Sequence, residues 1–379
     1  MVHPIDHRGL FEACFRYAFF ISAFLIFHIS HSRESAQAVS IMAYNVENLF
    51  DATDDGSDQG DPTFLPMSIK QKWAQNKCLQ KEGFRRQLCE TLDWTQDKYE
   101  QRLKKISQLI LEYNGSGPDI IVFEELENKR VIMDLWDKFL KSKGYQAPIH
   151  IESPSNRGID VGMISRFTLS GPVIAHPVDL SGVDAGFTRD ILEATFLITP
   201  TQKLKITANH WPSLSHTVET RLRAAAVLKI IAKQASKDSI PFIAMGDFNT
   251  LPTETPNPIA NNVANNLLQD KECPLVDIQN YIGGYLHFPS KNGSHYYKGE
   301  WSPLDRIIVS KSFFDKNPKI QIDLQSFGDY IPDYLLASEI TTDPKTGEKK
   351  LVKFPRRFDF MTGEGYSDHL PVVLKLNLP

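Results

Sequence analysis

Phe242-Ile243-Ala244-Met245-Gly246-Asp247-Phe248-Asn249 is the segment of this 379-residue sequence that indicates its architecture most directly. Its first four residues are apolar and lie between Pro241 and Gly246, a pattern typical of a short buried strand. Asp247 and Asn249 follow at once, so the strand ends in a carboxylate and an amide. Because ligands bind beyond the ends of strands in open sheets, the sequence predicts a polar site here.

Other short apolar runs bounded by turn residues predict further strands. Together with the first, they cover residues 41–45, 119–124, 159–165, 192–198, 203–210, 241–246, 304–310 and 370–376. Residues 95–114 and 217–236 carry an apolar stripe at helical spacing and predict two helices. Strands 192–198 and 203–210 adjoin with no helix between them. This arrangement argues against an alternating βαβ sheet and for two packed sheets with helices outside.

The composition is that of an ordinary globular protein, with 41% hydrophobic and 23% charged residues. These proportions exclude collagen-like, coiled-coil and disordered classes for the chain as a whole. Lysine and arginine number 42 against 46 aspartate and glutamate, a net charge of −4. The balance excludes a protein that binds nucleic acid by its overall positive charge, but not one with a local basic groove. No repeat or long linker divides residues 39–379, which predicts one domain.

The first 38 residues have the pattern of a secretory signal peptide. Arg8 and Arg16 precede an apolar run at 17–29, which is shorter than the roughly 20 residues that span a membrane. Ala36-Gln37-Ala38 provides a small-x-small cleavage site. The pattern predicts a secreted or periplasmic protein, and the alternative is an uncleaved membrane anchor.

Four cysteines are too few for a disulfide scaffold, and no Cys-x-x-Cys pair indicates zinc. Cys14 would leave with the signal peptide, while Cys78, Cys89 and Cys273 would remain in an oxidising compartment. Cys78 and Cys89 are close in sequence, and a bridge between them is the favoured pairing. Cys273 is then expected to be a free, buried thiol.

Five polar clusters stand at the ends of predicted strands and contain Asn45, Glu125, His210, Asp247 with Asn249, and Asp368-His369. Their donors are oxygen and imidazole nitrogen, with no thiolate. Such oxygen-rich sets suit Mg²⁺ or Mn²⁺, which keep several waters and bind substrate phosphate, whereas zinc favours more imidazole or sulfur. No Gly-x-Ser-x-Gly elbow, Walker loop or Gly-x-Gly-x-x-Gly follows a strand, which disfavours hydrolase-triad and nucleotide-binding sites.

The order of these motifs resembles the endonuclease/exonuclease/phosphatase superfamily, which has the deoxyribonuclease-I-like fold. The resemblance spans residues 40–378 and rests on six motifs in order: Asn45, Glu125, His210, 246–249, 304–306 and 367–369. It implies an α/β fold, a four-layered sandwich of two mixed, mainly antiparallel sheets packed face to face with helices outside. The site of such proteins lies at one edge, between the sheets.

By the same resemblance, Glu125 is the principal ligand of Mg²⁺ or Mn²⁺, with Asn45 and Asp368 nearby. Asp247 orients or deprotonates the attacking water, and Asn249 positions the phosphate.

The resemblance also assigns two histidines and an arginine. His369 is expected to contact a phosphate oxygen while Asp305 holds its other ring nitrogen. His210 corresponds to a second active-site histidine with Asp160 as its carboxylate partner. Arg189 lies where the family often has a phosphate-contacting arginine.

The predicted function is a secreted, metal-dependent nuclease acting on DNA or RNA, a monomer without a stable protein partner that would touch a membrane only through an uncleaved signal. The alternatives are a sphingomyelinase-like or phosphoinositide phosphatase member and, third, a non-catalytic binding module. An exposed apolar hairpin near the site would favour a lipid substrate. Aromatic side chains beside a basic groove would favour nucleic acid. The basic run at 345–357 has the pattern of a solvated face, and a phosphate-contacting loop is the alternative.

Overall fold

The computed structural model describes residues 38–56, 61–154, 157–183, 187–260, 262–265, 274–282, 293–316, 318–342 and 347–378. Residues 1–37, which include most of the predicted signal peptide and Cys14, lie outside the described residues, as does Cys273. Among the helices of the described segments, none is long and apolar enough to cross a membrane.

The strands are β1 Ala38–Leu49, β2 Ile120–Leu126, β3 Ile149–Ile151, β4 Asp160–Ser165, β5 Thr168–Leu169, β6 Ile174–His176, β7 Ile191–Leu197, β8 Lys203–His210, β9 Phe242–Asp247, β10 Leu275–Asp277, β11 His295–Tyr297, β12 Glu300–Ser302, β13 Asp305–Ser310, β14 Gln321–Asp329, β15 Leu336–Thr342, β16 Lys349–Pro355 and β17 Val372–Asn377. The α-helices are α1 Met67–Ile69, α2 Gln75–Leu79, α3 Gly83–Thr91, α4 Gln96–Glu112, α5 Lys129–Leu135, α6 Val218–Lys237 and α7 Ile278–Tyr281. Two π turns, Lys70–Ala74 and Trp136–Leu140, follow α1 and α5. Short 3₁₀ turns occur at Pro62–Phe64, Tyr113–Gly115, Lys141–Lys143, Lys311–Phe314 and Asp333–Leu335.

All eight predicted strands are present, and the one at 203–210 has the bounds of β8. The strand predicted at 41–45 is longer, because β1 extends from Ala38 to Leu49. The two predicted helices are α4, whose amino end is capped by the Thr95 side chain, and α6. Residues 349–355 of the predicted basic loop form the strand β16 instead, because they pair along their whole length with β15.

Two sheets carry the core. The first is six-stranded in the order β14-β17-β1-β2-β4-β3, and the second is seven-stranded in the order β10-β13-β9-β8-β7-β5 with β6 beside β7. Within the described strands, the β1–β2 and β8–β9 pairs are parallel and the other pairs are antiparallel. The sheets are therefore mixed but mainly antiparallel, as predicted.

Side chains alternate between the two faces of each strand, and the buried apolar ones form three layers. Ile41 and Val122 of the first sheet share one buried cluster with Ile206 and Met245 of the second, so this cluster fills the space between the sheets. The opposite face of β2, which carries Phe123, packs against α4 and α5. On the far side, β9 packs against α6. The order helix, sheet, sheet, helix confirms the predicted four-layered sandwich.

A disulfide between Cys78 and Cys89 joins α2 to α3, which confirms the favoured pairing. Replacing both cysteines by serine should lower the free energy of unfolding by about 2–3 kcal/mol, because the bridge closes a short loop and restricts the unfolded chain. Urea unfolding of wild type and variant measures the difference. Reductant should weaken the wild type to the same extent and leave the variant unchanged, and a variant as stable as wild type would contradict the prediction.

Candidate active site

Strand register brings the predicted site residues to one edge of the sandwich. In the first sheet, Asn45 of β1 is paired with Glu124 of β2, the residue before Glu125. In the second sheet, His210 of β8 is paired with Asp247 of β9, which is also paired with Asp305 of β13. Since β13 runs antiparallel to β9, its first residue meets the last residue of β9. Side chains far apart in sequence therefore lie side by side.

The strand ends at this edge turn sharply. Glu47, Asn48, Glu125 and Asn249 have φ values of 53°, 52°, 66° and 46°, in the left-handed region that non-glycine residues rarely adopt. Residues in this conformation cost of order 1–3 kcal/mol each and tend to occur at functional sites. Gly246 has φ 129°, and a Cβ atom there would lie 2.2 Å from the Asn209 carbonyl oxygen. Only glycine therefore allows β9 to approach β8 this closely.

His369 and Asp305 form a buried pair. The Nδ1 atom of His369 is 2.7 Å from Oδ2 of Asp305, which also accepts a 2.5 Å hydrogen bond from the Ser294 hydroxyl. Burial alone would lower the pKa of His369, but the charge and hydrogen bond of Asp305 raise it well above its usual value. His369 is therefore held as an imidazolium, with Nε2 4.0 Å from Asp247.

Asp247 is fixed from two sides at the centre of the site. Its Oδ1 accepts a 2.8 Å hydrogen bond from the Asn249 backbone N–H, and its Oδ2 accepts a 3.2 Å bond from the Asn45 amide. Burial, followed by the negative charge of Asp305, raises the pKa of Asp247 to about 7 against the opposing effect of His369. The carboxyl group therefore titrates near neutral pH, as a general base requires.

His210 lies between two carboxylates. Its Nε2 is 3.8 Å from Oδ2 of Asp247 and 3.9 Å from Oε1 of Glu125. Both carboxylates thus lie within 4 Å of one ring nitrogen. Burial, followed by the charges of Arg189 and Arg157, lowers the pKa of His210 well below its usual value. This second histidine is therefore neutral.

The predicted pairing of Asp160 with His210 is wrong. Asp160 Oδ1 accepts a hydrogen bond from the Ser153 backbone N–H, and Oδ2 lies 3.2 Å from Nε2 of His150. The reason is that β4 pairs with the short strand β3 on this side, which brings His150 to the carboxylate of Asp160. Among the described atoms, the ring Nδ1 of His210 has no hydrogen-bond partner.

Arg189 is directed at the backbone. Its Nε and Nη2 donate to the carbonyl oxygens of His210 and Trp211 at 3.2 and 3.0 Å, and the Asn249 side chain donates to the same Trp211 oxygen at 3.1 Å. Arg189 and Asn249 therefore hold the turn that follows β8. The predicted contacts of these two side chains with phosphate stay predictions.

The first sheet supplies the oxygen donors. Glu125 Oε2 accepts a 2.8 Å bond from the Asn48 N–H, while its Oε1 has only the 3.9 Å approaches of His210 and Arg157 within the described chain. The Asp368 carboxylate lies 3.7 Å from Arg357 and 3.9 Å from His369. Both carboxylates thus keep an oxygen available at the rim. These carboxylates and the Asn45 amide oxygen are donors of the kind that a hard divalent cation prefers.

Sequence reasoning missed Glu47, which organises the rim. Its side chain is buried, with Oε1 2.5 Å from Arg357 Nε and Oε2 accepting from the backbone N–H groups of Phe358 and Asp368. Glu47 therefore links the end of β1 to the segment that carries Asp368. The only available signal was its position two residues after Asn45.

His295 was also missed, and it packs on His369 with ring centroids 4.5 Å apart. Burial, aided by the charge of His369, lowers the pKa of His295 from 6.5 to about 4. The unfolded chain therefore binds a proton between pH 6.5 and about 4 that the folded chain does not. Stability should be fully present above pH 6.5 and fall as the pH drops through this window, by up to about 3 kcal/mol.

This pH dependence can be measured by urea unfolding at about pH 7 and about pH 4.5, in wild type and in the variant His295→Gln. Glutamine does not titrate, so the variant should lose less stability between the two values. An equal loss in both proteins would contradict the assignment.

The structure has two facing sheets, and carboxylates, amides and an Asp-paired histidine lie at their strand ends. These features define the deoxyribonuclease-I-like class of proteins. The sequence model of the Endonuclease/Exonuclease/phosphatase family matches residues 87–378, and the chain belongs to this family. The resemblance stated from the motifs is thereby confirmed. Members of the superfamily are hydrolases that act on phosphoester bonds.

Similar solved structures come from several organisms. An endonuclease/exonuclease/phosphatase family protein from Bacteroides thetaiotaomicron is 14% identical, with a TM-score of 0.49, over 91% of this chain and 99% of that one. D. rerio TDP2 in complex with a single-stranded DNA product is 15% identical, with a TM-score of 0.48, over 90% and 99%. The mannosyl-6-phosphatase Bt3783 of B. thetaiotaomicron is 14% identical, with a TM-score of 0.48, over 89% and 99%. No curated protein sequence matches the chain.

Proposed function

We propose that the chain is a secreted, divalent-metal-dependent phosphodiesterase that hydrolyses DNA or RNA as a monomer. The observation that carries this proposal is the position of Asp247, whose carboxylate lies within 4.0 Å of both His210 and His369 and is fixed by Asn45 and Asn249. A base of near-neutral pKa, held in one orientation beside a positive and a neutral imidazole, suits attack by water on a phosphodiester.

The residues divide the chemistry by charge. Asp247 orients and deprotonates the water, because both of its oxygens are already directed by hydrogen bonds. His369 carries a positive charge that Asp305 stabilises, so its Nε2–H can donate to a phosphate oxygen. His210 is neutral and its Nε2 faces two carboxylates, which lets it donate a hydrogen bond without adding charge.

Glu125, Asp368 and Asn45 would hold Mg²⁺ or Mn²⁺ at the rim, because their donors are the hard oxygens that these ions prefer. When bound, the ion supplies Lewis-acid stabilisation of charge on the phosphate. Arg357, 3.7 Å from Asp368, and Arg157, 3.9 Å from Glu125, add positive charge at the same rim.

Aromatic and basic side chains beside the site support a nucleic-acid substrate. The β11–β12 hairpin reaches the site because His295 bridges to His369. Tyr297 on this hairpin is exposed, with Lys298 5.2 Å from its ring centroid. The strand β16, with its lysines, lies alongside, since Phe354 stacks on Tyr296. Exposed aromatic rings and lysines together stack on bases and attract phosphates.

A lipid phosphodiester is a second candidate, and one observation favours it. Ile340 and Leu351 face each other across the β15–β16 hairpin and are 69% and 60% exposed. An exposed apolar pair flanked by lysines on β16 suits insertion into the interface of a phospholipid layer.

Export of the protein is supported by the Cys78–Cys89 disulfide, since such bonds persist in oxidising compartments. The signal-like pattern of residues 1–38 supports the same localisation. Radiolabelled or tagged chain found without residues 1–38 in the periplasm or medium would support export, and full-length chain retained in the cytoplasm would contradict it.

The substrate is tested with residues 39–379 assayed against plasmid DNA, RNA, sphingomyelin vesicles and phosphoinositide vesicles, with Mg²⁺ or Mn²⁺ and with EDTA. We expect polynucleotide cleavage that EDTA abolishes. The variant Tyr297→Ala should lose activity on polynucleotides but far less on bis-p-nitrophenyl phosphate, which has no nucleobase to stack on the tyrosine ring. Hydrolysis of the lipids alone, sensitive to Ile340→Ser, would replace the nuclease proposal by the second candidate. No hydrolysis of any substrate would indicate a binding module.

A further inference from the structure

A cluster of side chains that could hold a metal ion lies apart from Asp247, Asp305 and His369. His150 on β3, Glu152 just after it and Asp160 at the start of β4 each offer one ligand atom, and these atoms lie within 4.8 Å of one another. The three residues come from one edge of the first sheet, where the register pairs His150 with Gly162 and Ile151 with Val161.

Two of these ligand atoms are buried without a hydrogen bond. The side chains of His150 and Asp160 are each only 2% exposed. Within the described structure, neither Nε2 of His150 nor Oδ2 of Asp160 has a hydrogen-bond partner, although the two atoms are 3.2 Å apart. A buried polar atom without a partner costs about 1–3 kcal/mol, so such an atom calls for an explanation.

The spacing matches that of two ligands of one ion. Zinc bonds of about 2.0–2.1 Å in tetrahedral geometry put neighbouring ligand atoms about 3.3 Å apart. We propose that His150, Glu152 and Asp160 bind a Zn²⁺ ion at this edge of the first sheet, separate from the catalytic cation. One imidazole and two carboxylates leave the fourth position to water. Imidazole is a poor ligand for Mg²⁺ and Ca²⁺, which want oxygen.

The third ligand is within reach of the other two. Glu152 is exposed, and one of its carboxylate oxygens lies within 4.8 Å of the ligand atoms of His150 and Asp160, so two negative charges stand close together. A divalent cation would neutralise this repulsion between the two carboxylates.

The ion would hold both ends of the β3–β4 connection. Arg157 extends from this connection to the catalytic rim, where Nη2 donates a 2.8 Å hydrogen bond to Asn48 Oδ1 and Nη1 lies 3.9 Å from Glu125. Zinc binding would therefore position Arg157 at the catalytic rim, although the ion itself would not contact the substrate.

The test is equilibrium dialysis of the purified protein against Zn²⁺ alone, followed by metal analysis. Wild type should bind one more Zn²⁺ per chain than His150→Ala. Glu152→Gln should weaken the binding to this site by about tenfold or more, since even residues behind the ligands cost 10–100-fold in affinity. Glu152 is exposed, so this variant tests the proposal even if His150→Ala does not fold.

Glu339 is an exposed carboxylate on β15, and the variant Glu339→Gln is the matched control. It should bind Zn²⁺ like wild type. If His150→Ala or Glu152→Gln also retains the wild-type stoichiometry and affinity, the site is overturned, and Asp160 serves only to orient His150. Trypsin cleavage after Arg157 provides a second measurement. Zn²⁺ should slow this cleavage in wild type but not in His150→Ala. If bound zinc leaves the cleavage rate of wild type unchanged, zinc does not position Arg157.

Discussion

Replacing Asp247 by asparagine should lower kcat for phosphodiester hydrolysis by about 10²–10⁴, the range by which general base groups accelerate reactions. Asparagine keeps the size of the side chain and its acceptor oxygen for the Asn249 N–H, but it cannot take a proton from water. Since the carboxyl group is buried and adds to the negative charge around Asp305, its loss should leave folding intact. Substrate binding should change far less than turnover.

Steady-state kinetics on a polynucleotide and on bis-p-nitrophenyl phosphate measure this effect, with circular dichroism as the check on folding. Asp137→Asn is the matched control, because Asp137 is exposed on the first turn after α5 and, among the described residues, pairs with Lys141. If Asp247→Asn has the turnover of wild type, Asp247 is not the general base.

Removing either member of the His369–Asp305 pair should have an effect of comparable size, about 10²–10⁴ in kcat. His369→Ala removes the charged donor. Asp305→Asn leaves the ring in place but removes the carboxylate that holds Nδ1 at 2.7 Å and stabilises the imidazolium. Asp305 is fully buried and its carboxylate is hydrogen-bonded to His369, so it acts as a positioning residue through that ring.

The double variant distinguishes this dependence from two independent roles. If Asp305 acts only through His369, the double variant should be no slower than His369→Ala, because residues that act as one unit are strongly non-additive. If the loss of kcat in the double variant equals the product of the two single losses, the two residues act independently and the pairing is not the source of the loss. Ser294→Ala, which removes only the hydroxyl bonded to Asp305, should give a smaller loss.

The strands and the polar residues that end them could be predicted because both depend on local pattern. Short apolar runs ended by turn residues located β8 and β9, and the polar residues after them were found at the sheet edge. Asp305, His369 and Asp247 could be brought together only by adding the order of motifs, since no periodicity in the sequence specifies which strands are neighbours.

The errors have the same physical origin. The family resemblance pairs Asp160 with His210, and the sequence offers no signal against this pairing. The strand β3 is only three residues long and has no recognisable pattern, yet its pairing decides what faces Asp160. Glu47 was overlooked because its left-handed backbone turns the side chain toward Arg357 and Asp368, more than 300 residues away in sequence. Contacts of this range follow from tertiary packing alone.

The pairing of β1 with both β2 and β17 has a consequence for biosynthesis. A growing polypeptide on the ribosome has Asn45, Glu125 and Asp247 long before Asp368 and His369 emerge, and β1 lacks one of its two neighbours until residues 372–377 follow. The imidazolium and one rim carboxylate are thus the last parts of the catalytic apparatus to be translated. Any chemistry that depends on the His369–Asp305 pair therefore cannot begin until that final strand is in place.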